Sequence, residues 1–124
     1  MVKLLRHLSP ARDETGAATV LAAIFVSALA TVCVAGMWLG AAVIACHRAQ
    51  AAADLAALVA AARVPAGTVT ACGQAEALAR AMGAHVRSCV IAQLDVTVVV
   101  SVPVGGRTGH EARASARAGP SGAS

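Results

Sequence analysis

The sequence predicts an α+β protein: one long N-terminal transmembrane helix that extends out of the membrane, a short second helix and a small three-stranded antiparallel sheet. Three observations carry this. Residues 17–46 hold no formal charge over thirty positions. Residues 47–62 continue them as an alanine-rich stretch free of Gly and Pro. Beyond Gly83, apolar and polar residues alternate with the period of two that marks strands.

The charge-free run sets the class of protein. About 20 apolar residues suffice to cross a hydrocarbon layer of about 30 Å, so residues 17–46 cross with turns to spare. A removable secretory signal has an apolar core of roughly 7–15 residues, about half this length. Val43, Ile44, Ala45 and Cys46 satisfy a loose lipobox, but lipidation there would discard everything before Cys46 behind an oversized apolar core. The remaining reading keeps the run as an anchor. Lys3, Arg6 and Arg12 precede it, against Arg48 and Arg63 shortly after it, and this small basic excess places the N-terminal side in the cytoplasm. Within the run, Gly36 and Gly40 form a GxxxG element, a shallow groove at which a second helix can approach closely in lipid. Alanine and glycine are also simply frequent in this chain.

The helix is expected to continue past the membrane surface. Alanine is the best helix former, and nothing between His47 and Ala62 interrupts it until Pro65. Counted over residues 17–63, a continuous helix is about 70 Å long. Leu55, Leu58, Val59 and Ala62 recur at i, i+3, i+4 and i+7, which marks them as the face to be covered.

After Pro65 and Gly67, Thr70 is expected to cap a short helix over residues 71–82, with Ala75, Leu78, Ala79 and Met82 on its inner face and Gly83 as its stop. Residues 85–91 read as a first strand, with a turn at Ala92 and Gln93. Residues 95–102 read as a second, in which Val96, Val98, Val100 and Val102 alternate with Thr97, Val99 and Ser101. Pro103, Gly105 and Gly106 end it. A third strand follows, with Ala112, Ala114, Ala116 and Ala118 on one side and Arg113, Ser115 and Arg117 on the other, the pattern of an edge strand with a charged outer face. The resulting division is a leader-like cytoplasmic segment (1–16), a transmembrane helix (17–46), its extramembrane continuation (47–63), a small extracytoplasmic module (64–119) and a disordered tail (120–124).

So small a module lies near the lower limit at which a core holds itself together. Cys72 and Cys89 fall within it, on the side that is oxidising when the N-terminus is cytoplasmic. A bond between them would close a loop worth about 3 kcal/mol in the chain-entropy model. Two free thiols are the alternative, and a metal site drawn from Cys72, His85, Cys89 and His110 is a third, although no CxxC or HxxxH pair supplies a tight bite. Cys33 and Cys46, inside the apolar run, read as small hydrophobes.

The composition argues against several function classes. There is no Tyr, and the one Phe and one Trp, Phe25 and Trp38, lie in the apolar run, so no aromatic outside it can stack a base or a sugar. The net charge of +4 is spread rather than gathered into a stripe, which argues against nucleic acid as a partner. His7, His47, His85 and His110 lack neighbouring Ser or Asp motifs, and Gly105 and Gly106 are followed by Arg107 and Thr108 rather than by a phosphate-cradling Lys and Ser/Thr. No enzyme, no cofactor and no small-molecule substrate is expected.

The stretch RDETGAATV (residues 12–20), the stretch HRAQAAADLAAL (47–58), the pair Cys72 and Cys89, the strand opening Leu94-Asp95-Val96 and the closing Arg- and Ala-rich strand together carry a resemblance. The chain resembles pilins, and more closely the TadE/TadG-like proteins of tight-adherence (Flp) pilus systems in their short actinobacterial form. The resemblance covers most of residues 12–120. It implies a pilin-like fold and a structural or assembly role in a Tad/Flp-type pilus or a type II/IV-like secretion apparatus, beside other pilin-like subunits, a secretion ATPase, a platform protein and a prepilin peptidase that would cut between Gly16 and Ala17. Two features depart from such substrates. Leu21 stands at the fifth position after Gly16, where they carry Glu, and Asp13, Glu14 and Thr15 precede Gly16 in place of a basic pair. Cleavage, and a place in a filament, therefore stay open, as does the alternative of a stand-alone anchored module that binds a partner or senses the envelope.

Overall fold

The computed structural model describes residues 2–105 and 109–120, with side chains from Glu14 onward. Gly106, residues 121–124 of the expected tail and the side chains of Lys3, Arg6, Arg12 and Asp13 lie outside the described residues. The chain contains one long apolar helix, α1 (Val2–Arg63), a second helix and a three-stranded antiparallel sheet, an α+β arrangement. It divides into two compact units, Met1–Trp38 and Leu39–Ser124.

In the first unit the described residues are the N-terminal part of α1. From Glu14 to Trp38 every side chain is exposed, Val20, Phe25, Leu29, Val32 and Met37 among them. Three of its hydroxyl groups bond along the helix itself. Thr19 donates to the Thr15 carbonyl at 2.7 Å, Ser27 to Ala23 at 2.8 Å and Thr31 to Ser27 at 2.8 Å. A hydroxyl bonded to the carbonyl one turn back is tolerable in hydrocarbon, where an unsatisfied polar group costs several kcal/mol. α1 is the one helix among the described residues long and apolar enough to cross a membrane.

The second unit opens with the last turns of α1. Arg63 ends the helix, and a 3₁₀ turn at Val64–Ala66 follows, with Pro65 in its first turn and Gly67 at φ +104° closing it. That left-handed glycine starts α2 (Thr68–Ala81) earlier than expected. Thr70 is therefore not the cap: Gly67 is, its carbonyl accepting from the Ala71 N–H at 3.0 Å, and no side chain caps the helix. At the other end, Gly83 at φ +73° lets its own N–H reach the Arg80 carbonyl at 3.0 Å and the Ala84 N–H reach Ala79 at 2.9 Å, the paired bonds of a Schellman stop.

Strands β1 (His85–Ala92), β2 (Asp95–Pro103) and β3 (Glu111–Ala118) form a meander with β2 in the centre. Ala92 pairs with Asp95, so the turn is Gln93-Leu94, one residue later than expected, with Gln93 at φ +58°. Val96, Val98, Val100 and Val102 face inward, opposite Ala118, Ala116, Ala114 and Ala112 of β3. These valines share one core with Ala71, Ala75 and Ala79 of α2 and with alanines of α1.

Candidate functional site

The stripe of α1 that enters the core consists of Ala45, Ala49, Ala52, Ala53, Ala56, Ala57 and Ala60, recurring at three- and four-residue steps, each at most 4% exposed. Methyl groups let a helix backbone come close to a sheet, and the β-branched valines of β2 supply the volume between them. The face of Leu55, Leu58, Val59 and Ala62 expected to be covered, with Leu55, Leu58 and Val59 as candidate helix-packing residues, is therefore not the one that meets the sheet. Leu55 is 44% exposed, Leu58 is 59% exposed and Val59 is half-buried. A leucine on the inner stripe would hold the sheet away from α1, so the larger side chains are left outside.

The other candidate positions on α1 are also uncovered. Gly36 and Gly40 lie in unbroken helix, and a Cβ placed on either would meet no atom within 4 Å. Trp38 and Leu39 beside them are 65% and 69% exposed. Gly16 and Ala17 sit in α1, exposed, with nothing near Gly16. Cys33 and Cys46 are free and exposed.

Within the second unit, Cys72 of α2 is bonded to Cys89 of β1, with Cα atoms 6.0 Å apart. The bond fastens α2 to an edge strand on the core face, and it removes both sulfurs from any metal site. Among the described residues, no group of three or more His, Cys, Asp or Glu side chains is placed to hold a metal ion. The outer sheet face carries a network that the local sequence does not announce. A bulge at Arg87 shifts the β1–β2 register, and the Arg87 Nε–H donates to the fully buried Ser101 Oγ at 2.8 Å while its Nη2 pairs with Glu111 of β3. Arg117 pairs with Asp95 from β3 to β2. Residues 24 apart in sequence meet here only because the meander brings β1 and β3 to either side of β2.

Grooves among the described residues border the module. One, of about 270 Å³, is lined by Ala41, Ile44, Ala45 and Arg48 of α1 with Val102 and Pro103 of β2. Another, of about 260 Å³, lies at the far end of α1 between Leu58, Val64, Pro65, Leu94 and Pro120. Neither holds a nucleophile with an adjacent base. The free surface of α1 is thus the principal candidate, and the chemistry it offers is packing.

No protein-family model matches the chain, and no solved structure matches it. Over 53 residues the chain is 55% identical to a protein of Mycobacterium tuberculosis named apoptosis inhibitor Rv3654c. That stretch is 43% of this chain and spans 63% of the mycobacterial protein, so the likeness is to a part of each.

Proposed function

We propose that this chain is a membrane-anchored, pilin-like structural or assembly component of a Tad/Flp-type pilus or related secretion apparatus, similar to the TadE/TadG-like proteins. In this reading the Lys3, Arg6 and Arg12 end lies in the cytoplasm, one span crosses the membrane, and the α+β module works outside. Its partners are other pilin-like subunits and the secretion ATPase and platform proteins that handle them.

The observation that carries the reading is how α1 distributes its surface. Its alanine stripe serves the module's own sheet, whereas the apolar side chains from Val20 to Leu39 are exposed and a Cβ on Gly36 or Gly40 would meet no atom within 4 Å. Lipid supplies no hydrophobic drive between helices, so association there depends on close backbone approach, and Gly36 and Gly40 provide the place for it. The test is in-cell cross-linking of the wild-type chain and of Gly36→Leu with Gly40→Leu. Loss of cross-links to like subunits, with insertion and the Cys72–Cys89 bond intact, is the expected result. Unchanged cross-linking removes lateral assembly and leaves the stand-alone anchored module.

A further inference from the structure

We infer that the groove between α1 and the end of β2 is a phospholipid site, holding the phosphate-bearing headgroup of an anionic lipid from the leaflet that the module faces. The inference rests on the membrane-anchored reading above.

Position in the sequence comes first. Ala41, Ile44 and Ala45 are among the last six residues of the charge-free run, and Arg48 is the first cation after it. A helix of thirty residues rises about 45 Å, which matches a bilayer of about 40–45 Å with its headgroup layers included. The end of the run therefore coincides with a headgroup layer, and long cationic side chains on a helix lean back toward its N-terminus, here toward the membrane.

The lining has the matching order of chemistry. Ile44 is 62% exposed and forms an apolar wall with Ala41, Val102 and Pro103, while Arg48 stands one turn above Ile44. Among the described residues, Arg48 has neither an ion pair nor a hydrogen bond, a state it shares with Arg63, which lies outside the groove, whereas Arg80, Arg87, Arg113 and Arg117 are all paired. An unpaired guanidinium over an apolar wall is complementary to a phosphodiester over the first acyl carbons, and two parallel N–H donors fit its oxygens. At about 270 Å³ the groove suits a headgroup rather than a whole lipid, and its apolar wall continues along α1 into the exposed surface of Val43 and Ile44.

Native mass spectrometry of the full chain tests this, after reconstitution in vesicles of mixed phosphatidylglycerol and phosphatidylcholine and release in mild detergent. The wild type is expected to retain one phosphatidylglycerol in preference to phosphatidylcholine by about fivefold, the effect of one cation near an anionic surface. Arg48→Gln abolishes the preference, Ile44→Ser lowers retention of both lipids, and Arg63→Gln changes neither. Retained helix content and an intact disulfide show that the variants are folded. Equal preference in wild type and Arg48→Gln overturns the site, and displacement of the lipid by millimolar inorganic phosphate overturns the lipid assignment in favour of a simple anion. Recovery of the chain in the soluble fraction of cells would instead refute the membrane anchor, an outcome read separately from lipid retention.

Discussion

Ala52, Ala53, Ala56 and Ala57 present only methyl groups to the sheet and have essentially no exposed surface, so a larger side chain at any of them meets a filled space. Ala53→Leu is expected to destabilise the module by about 1–3 kcal/mol through overpacking. Leu58→Ser, at a position 59% exposed, is expected to stay within about 0.5 kcal/mol. Urea unfolding of both variants in detergent ranks them; the reverse order would return the inner face to the leucines. Gln93 offers a test of the opposite sign. Its φ of +58° is a conformation that glycine adopts without a Cβ penalty, so Gln93→Gly is expected to raise the unfolding midpoint, by about 0.5–1 kcal/mol in stability.

Among the elements, α2 has few large side chains in the core: Ala71, Ala75 and Ala79 are its buried residues. The bond to β1 accordingly matters more than it would in a larger core. Replacing Cys72 and Cys89 together by serine is expected to cost about 3 kcal/mol for a loop of 17 residues. Amide exchange along α2, compared between the bonded chain and the double variant, shows whether that loss falls first on this helix. The elements were legible where one residue type dictates one geometry. Gly83 announced the end of α2, Pro65 the end of α1, and the Val96 to Val102 alternation the second strand. The inner stripe of α1 was not legible by hydrophobicity, because a scale that ranks Leu above Ala points at Leu55 and Leu58, whereas packing against valines rewards the smallest residue. The Arg87, Ser101 and Glu111 network was hidden for another reason: it depends on a bulge and on the register of three strands, which local spacing does not contain.

For the molecule as a whole, one helix supplies both a long exposed apolar surface and a scaffold for the module. Mass mapping of the mature N-terminus belongs to this scale. A start at Ala17 is expected if a prepilin peptidase processes the chain, and an intact Met1 would favour a plain anchor. The central claim is that α1 anchors an α+β module outside the cytoplasm, and cysteine accessibility tests it most directly. Cys33 and Cys46 are replaced by serine, and a single thiol is placed at Ser115, on the exposed outer face of β3. In intact spheroplasts, a membrane-impermeant maleimide is expected to label Ser115→Cys fully and to leave a Val2→Cys control, scored on chains that retain Met1, unlabelled until the membrane is opened. Labelling of the Val2 position with protection of position 115 would contradict the orientation, and equal labelling of both without permeabilisation would contradict the membrane span.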